Sequence, residues 1–473
     1  MSHSCTSSAA CPVPPHPDLV ADLTKQRQSG QGEAHHELPL SLPTGYVPGL
    51  NDGTIFPPED FPEGTSPDEM GKGALERAPL RGAIKVAVVL IDFSDKAMGD
   101  GVKERFEDLF FSTGKIPTGS VTEYYQDVSG GKISITGEVV GPFRMPRTMK
   151  QYANNASGMG SAEPNARTMS TDALNAANSS INFKPYDNDN NGFVDAFIVV
   201  HAGSGAEMDR DKDKIWSMKW TLPSVHAVDG VKVYGFLTVP EDGRLGVCAH
   251  ELGHLVFGWP DLYDIDRSSK GIGNWCLMSG GSWGGSPPGN KPCHPSAYCK
   301  SKQQWVVEKI ENTNRQITLR DVKKPDDRQI LRLWTNGNAL GNEYFLIENR
   351  QQTGFDTSLP GSGLLIWHID DSIPNNANES HPKVALEQAD GLNQLAISTS
   401  GSGDAGDPYP GTTNNHAFTS VSKPNSRSYA GQKTNVSVTQ ISNSGPSMTM
   451  RVTVKTLAPA PPTTIEAEHF ETE

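Results

Sequence analysis

Residues 249–261 read Ala249-His250-Glu251-Leu252-Gly253-His254-Leu255-Val256-Phe257-Gly258-Trp259-Pro260-Asp261, and this stretch decides the fold. His-Glu-x-x-His puts two imidazoles at i and i+4, one turn apart on a single helix face. Convergent nitrogens of this kind suit a tetrahedral zinc ion, which in a catalytic site takes three protein ligands and keeps one open position. Glu251 stands beside His250, placed to reach a zinc-bound water as general base. Its neighbours Leu252, Leu255 and Val256 predict a buried helix, where a charged glutamate is costly and needs a chemical reason. Gly258 is expected to stop the helix. Asp261 follows as the third zinc ligand, with Asp264, or a glutamate further on, the competing assignment.

Downstream, Gly273-Asn274-Trp275-Cys276-Leu277-Met278-Ser279-Gly280-Gly281 is a turn-forming stretch around one methionine. Alone, a loop methionine is ordinary core filler. After a zinc helix, Met278 is expected in a methionine turn beneath the metal.

With these motifs the chain resembles the immune-inhibitor-A-like family of secreted zinc metalloproteases. The resemblance rests on 250–254, 260–264 and 274–278, and continues through Glu343–Arg350, Leu359–Asp370 and Lys383–Gly391. It spans roughly residues 80–455 and implies a metzincin-like fold with endopeptidase activity. One departure stands out. Metzincins carry two residues between the second histidine and the glycine, whereas here Phe257 adds a third, so Asp261 arrives one position late. A helix end is expected to absorb the extra residue in its turn.

The chemistry expected is hydrolysis by a zinc-activated water, with Glu251 taking its proton and passing it to the leaving amine. No serine or cysteine lies in a nucleophile context, so no acyl-enzyme is expected. Tyr263 and Tyr298 read as packing residues, leaving the oxyanion without a named donor. A binding reading stands as the alternative: a non-catalytic protein- or carbohydrate-binding protein on a metalloprotease scaffold.

A second metal motif lies upstream. Asp187-Asn188-Asp189-Asn190-Asn191-Gly192-Phe193-Val194-Asp195 reproduces the first half of a calcium loop. Asp187, Asp189, Asn191, Phe193 (through its carbonyl) and Asp195 are the candidate Ca²⁺ ligands. No glutamate occupies the twelfth position, because Ala196–Val200 reads as a buried strand. A metal-free Asn/Asp turn is the alternative.

The 473 residues are too many for one compact domain. An α+β architecture is expected: a twisted sheet plus zinc helix, then a β-sandwich-like domain. The boundaries fall at 1–80 (an N-terminal extension, which the resemblance implies can act as a pro-segment), 81–301 (catalytic domain), 302–455 (β-rich accessory domain) and 456–473 (a Pro-rich linker or truncated tail). Forty-seven glycines and 35 prolines fit loop- and strand-rich structure. A net charge of −14 argues against nucleic acid or an anionic membrane as partner. No stretch is apolar enough to span a bilayer. Protein or peptide substrates and a monomeric state are expected. An extracellular location is expected although the first residues lack the basic and apolar regions of a signal peptide. Sequons at Asn155, Asn178, Asn378 and Asn435 matter only in a eukaryotic secretory pathway.

Six cysteines permit the pairs Cys248–Cys276, Cys293–Cys299 and Cys5–Cys11. In the alternative they are buried thiols, and Cys5 or Cys11 ligates zinc in a latent form. Strands are expected over 85–93, 132–140 and 234–239, the last as the edge that pairs with an extended substrate. Helices are expected near 18–28, after the Ser120 capping box, and over 168–177. Beyond residue 302, short strands are expected at 317–320, 329–334, 343–349, 363–369 and 448–454, with His368 in a structural role.

Overall fold

The computed structural model describes residues 11–28, 56–65, 79–324, 326–334 and 341–454. Cys5 and the tail 456–473 lie outside these. The architecture is mixed α+β: a catalytic-type sheet with helices, followed by further β-sheets.

The first sheet has six strands, β1 (Cys11–Pro12), β2 (Gly82–Asp92), β3 (Ile133–Arg144), β4 (Phe197–His201), β5 (Met218–Val228) and β6 (Val231–Pro240), in the order β1-β5-β6-β4-β2-β3. β2, β3, β4 and β6 run parallel, while β5 is antiparallel to β6 and β1 antiparallel to β5. Residues 86–91 of β2 are completely buried, as an unbroken apolar run in a covered parallel strand requires.

Helices α1 (Pro17–Gln28), α2 (Val102–Phe111), α3 (Val121–Ser129), α4 (Met149–Ala153), α5 (Ala166–Ala177), α6 (Leu245–Phe257) and α7 (Ala297–Lys302) complete this part. The Ser120 capping box forms: its hydroxyl accepts from the Glu123 amide at 3.2 Å, and the Glu123 carboxylate accepts from the Ser120 amide at 2.9 Å. Asn165 caps α5, so that helix starts two residues before the expected Thr168.

The expected substrate edge requires correction. Residues 234–239 lie in β6, which is interior, flanked by β5 and β4. β5 is the strand whose outer side meets the N-terminal segment. Strand alternation is the same for edge and interior strands, so pattern alone could not separate them.

The later strands are β7 (Val307–Ile310), β8 (Arg315–Arg320), β9 (Gln329–Leu333), β10 (Glu343–Arg350), β11 (Gly363–Asp370), β12 (Val384–Leu386), β13 (Val436–Thr439) and β14 (Ser447–Val454). They form a five-stranded sheet, β12-β11-β10-β9-β7, and a three-stranded one, β13-β14-β8. The five-stranded sheet is covered on both faces. Tyr344, Leu346, Leu365, Trp367 and Ile369 join the core shared with the first sheet. Phe345, Ile347, Leu364 and Ile366 join a second core with Met448, Met450 and Val452 of β14. Period-two alternation sends neighbouring residues to different cores.

Charge also crosses between the first sheet's part and the later strands. Glu348 of β10 meets Lys300 of α7 at 2.5 Å, and Arg350 holds Asp356 through two hydrogen bonds of 2.7 and 2.5 Å. All four side chains are fully buried. Burial alone would raise the Asp356 carboxyl, but Arg350 and His294 hold it far below the usual range. Arg328 donates to the carbonyls of Asp127 and Val128 at 2.9 and 2.7 Å, capping the end of α3. Gly130 makes room for it, since a Cβ there would lie 2.7 Å from the Arg328 Cδ.

Candidate metal centre

Helix α6 is buried along its whole length. It ends at Gly258 in the left-handed conformation (φ 66°), which a Cβ would penalise. Phe257, the extra residue, belongs to the last turn and packs against Tyr125, Trp259 and Trp305. The chain then doubles back through Trp259-Pro260 and delivers Asp261 to the histidines.

His250 Nε2 and His254 Nε2 are 3.1 Å apart, and Asp261 Oδ1 lies 3.2 Å from the first and 3.1 Å from the second. All three side chains are buried. Ligand atoms about 2.0–2.1 Å from a tetrahedral ion are about 3.3 Å apart, so this donor set fits zinc in chemistry and spacing. The outer ring nitrogens are fixed: His250 Nδ1 meets the Leu277 carbonyl at 3.0 Å, and His254 Nδ1 the Trp259 carbonyl at 2.6 Å. Such backbone contacts set tautomer and ring orientation, aiming both Nε2 atoms at one point.

Asp264 is not brought into this set. Its carboxylate accepts from the Ser269 amide at 2.6 Å, the Ser268 hydroxyl at 2.9 Å and the Asp266 amide at 3.1 Å, closing a local turn.

Met278 lies directly under the helix. A Cβ on Gly253 would come within 2.7 Å of its sulfur and 3.0 Å of Trp259 Cε3, so glycine in the motif is a packing requirement. The Leu262 amide also donates to the Met278 carbonyl at 2.8 Å, joining the ligand loop to the methionine turn.

Glu251 is fully buried, and neither carboxylate oxygen makes a well-formed hydrogen bond. Burial, then the charges of Asp261 and Glu207, push its pKa well above the ordinary glutamate value. For Asp261, burial acts upward but the two histidines win and hold the carboxyl well below its ordinary range. For His254, burial outweighs Asp261 and lowers the imidazole, favouring the neutral ligand form.

Two residues gain importance over the sequence reading. Tyr263, expected to be plain packing, donates its hydroxyl to the Pro12 carbonyl at 2.7 Å and lies over the His250 ring, 6.5 Å between centroids. Its place directly after the ligand loop was the available signal. Cys11 is the second: its sulfur is 3.2 Å from His254 Nε2 and donates to Asp261 Oδ2 at 3.1 Å. Tyr298 is buried away from the centre, beneath the Lys302 and Lys383 ammonium groups.

Two of the expected disulfides are absent among the described residues, where Cys248, Cys276, Cys293 and Cys299 are buried thiols; the expected Cys5–Cys11 pair involves Cys5, which lies outside the described residues. Cys276 faces Cys299 rather than Cys248, and Cys293 lies against backbone carbonyls. Adjacency to the zinc helix in sequence did not translate into adjacency of sulfurs.

The upstream loop also gathers. Carboxylate oxygens of Asp187, Asp189 and Asp195 lie within 4.8 Å of one another. Asp187 accepts from the Asn191 and Gly192 amides at 3.0 and 2.9 Å, and Asn191 from the Phe193 amide at 2.9 Å. A second acidic group, Asp390, Asp404 and Asp407, escaped the sequence reading because its members come from two separated loops. His368 is held between Glu343 and Glu387, 3.0 Å from each, and stacks on Tyr429.

A buried His-Glu-x-x-His helix, a carboxylate from the returning loop and a methionine turn on a mixed sheet define a metallopeptidase-type catalytic domain. Residues 81–312 match the family model described as the Immune inhibitor A peptidase M6 catalytic domain, and in this segment the chain is similar to that family. Among curated relatives, the pre-pro-metalloprotease PrtV of Vibrio cholerae serotype O1 is 30% identical over 301 residues, which is 50% of this chain and 32% of the relative. Immune inhibitor A of Bacillus thuringiensis subsp. alesti is 31% identical over 276 residues, 47% and 40% of the two chains. The matched region thus spans a third to two fifths of these relatives' length.

Proposed function

We propose that this chain is a zinc-dependent endopeptidase acting on proteins or peptides, with His250, His254 and Asp261 as metal ligands and Glu251 as general base. The observation that carries this reading is a buried glutamate without a structural hydrogen bond, set beside three ligand atoms 3.1–3.2 Å apart. Zinc bound there would polarise the scissile carbonyl and acidify a water. Glu251 accepts the proton of the attacking water and delivers it to the leaving amine nitrogen. The Tyr263 hydroxyl, already donating to a peptide carbonyl, is the candidate donor to the substrate carbonyl as negative charge develops. Met278 supports the ligands from below by packing.

The metzincin-like assignment draws on this helix, loop and methionine turn. The core shared by the two later sheets supports a sandwich-like accessory domain at 302–455, after a catalytic domain at 81–301 and an extension at 1–80. Ca²⁺ at Asp187, Asp189, Asn191, the Phe193 carbonyl and Asp195 would pin the loop entering β4. Action outside the cell as a monomer completes the reading; among the described residues no helix is long and apolar enough to cross a membrane.

The test is metal content by mass spectrometry alongside casein cleavage, for the chain and for Glu251→Ala. One zinc per chain, with cleavage lost in the variant and zinc retained, is the expected result. Zinc without cleavage, before and after removal of residues 1–80, favours a binding protein, and absence of zinc refutes the metal centre.

A further inference from the structure

Two fully buried sulfurs at the methionine turn share one neighbour. The Ser296 amide donates to the Cys276 sulfur at 3.2 Å, and the Ser296 hydroxyl to the Cys299 sulfur at 3.6 Å. The Met278 amide adds a second backbone donor to Cys276, at 3.3 Å. Burial alone would raise the Cys276 thiol, but the Cys299 thiol facing it and these two amides prevail and hold it below its ordinary value. Burial pushes Cys248, Cys293 and Cys299 up instead. Thiolate is the form that oxidants attack, so Cys276 is the nucleophile of the pair and Cys299 the thiol that resolves it. A cavity of about 700 Å³ reaches the outer wall of the turn at Asn274, Gly280, Gly281 and Cys293. Gly281 packs on the Cys276 carbonyl, where a Cβ would lie 2.6 Å away, so a water-sized oxidant comes close to the pair.

The position of the pair gives it a consequence at the metal centre. Leu277, next to Cys276, supplies the carbonyl that meets His250 Nδ1 at 3.0 Å. The Cys299 carbonyl accepts from the Trp259 indole at 3.0 Å, and the Trp259 carbonyl meets His254 Nδ1 at 2.6 Å. A bond between the two sulfurs therefore ties together the backbone supports of both histidines. Outer contacts of this kind govern how tightly a centre holds its metal.

We propose that Cys276 and Cys299 are a cross-linking site, closed to a disulfide by a small peroxide, and that the bond fastens the methionine turn to α7 and slows loss of the metal. The Cys276 thiolate attacks one peroxide oxygen, the O–O bond breaks, and the departing hydroxide takes up a proton to become water. The Cys299 sulfur then attacks the Cys276 sulfenic sulfur; the S–O bond breaks and a second water leaves with the Cys299 proton. Each sulfur gives up one electron, and one peroxide is reduced to two waters. The effect on metal retention rests on the metal-centre reading above, whereas the cross-link does not.

The test treats the full chain, incubated with zinc, with hydrogen peroxide, alkylates the remaining thiols after denaturation and maps the peptides. A Cys276–Cys299 linked peptide is expected, lighter by two hydrogens than its parts and absent after a phosphine reductant. In Cys299→Ser, peroxide should leave Cys276 as a sulfenic acid that dimedone traps, while Cys276→Ser should give no adduct at Cys299. A chelator should strip zinc from the oxidised chain more slowly than from the reduced one, by about threefold or more, with no such difference in Cys276→Ser. Linkage of other cysteines in its place, or alkylation of both Cys276 and Cys299 after peroxide, overturns the cross-link, and the unaltered chain alone decides this. The cross-link with equal zinc release overturns its role in metal retention. A chain that binds no zinc overturns the metal centre, and the peptide map still decides the cross-link.

Discussion

Replacing Glu251 by glutamine separates chemistry from architecture more cleanly than any other change in this molecule. The substitution preserves shape and removes only the ability to carry a proton. The Glu251 oxygens have no side-chain hydrogen-bond partner in the fold, and the contact from the Lys219 backbone amide is one that a glutamine oxygen can still accept. Because burial and two neighbouring carboxylates already disfavour its charge, a neutral amide is tolerated at least as well at neutral pH. Melting temperature and zinc content should therefore hold or rise. Turnover should fall by about 100- to 10,000-fold, the range for losing a positioned general base. At about 1.36 kcal/mol per tenfold, that is about 2.7–5.4 kcal/mol of transition-state stabilisation. The assay is kcat and KM on a fluorogenic peptide, with wild type and variant activated identically and zinc measured in each sample. A variant that keeps more than a tenth of wild-type kcat with full zinc would refute the role given to Glu251. A variant that loses its zinc or its fold would refute the claim that this side chain has no structural task.

Asp261→Asn should weaken zinc binding at least tenfold in a competitive chelator titration. Asp264→Asn should leave zinc content unchanged and cost about 1 kcal/mol of stability through its turn hydrogen bonds. Gly253→Ala gains helix propensity but forces a Cβ to within 2.7 Å of the Met278 sulfur. Overpacking of about 1–3 kcal/mol should exceed the roughly 1 kcal/mol gained, lowering the melting temperature by calorimetry. His368 is pushed down by burial, but its bonds to Glu343 and Glu387 prevail and raise it above the usual 6.5. The stability it contributes is fully present below about pH 6.5 and is lost as pH rises through the higher folded-state value. Denaturant titrations from pH 6 to 9 should show this decline in wild type and a flatter profile in His368→Leu. Millimolar Ca²⁺ should raise the melting temperature, by about 2.7 kcal/mol of stability at a hundredfold excess over Kd, and Asp187→Asn should remove the rise.

The sequence by itself determined the local spacing of the candidate centre, because that spacing is short-range. His250, Glu251 and His254 share a helix whose period fixes their spacing. Asp261 follows on the same loop, and the Ser120 cap and the calcium-type loop are likewise short-range patterns. The tertiary structure decided everything that depends on distant segments meeting. It brought the Asp261 carboxylate to the two histidines and tied that of Asp264 into a local turn. It kept Cys248 and Cys276 apart and set Cys276 against Cys299. It buried β6 and left β5 facing the N-terminal segment. It also carried Cys11, 243 residues from His254, to within 3.2 Å of that histidine. Periodicity records which face of an element is buried, not which partner buries it; that is fixed only when the whole chain packs.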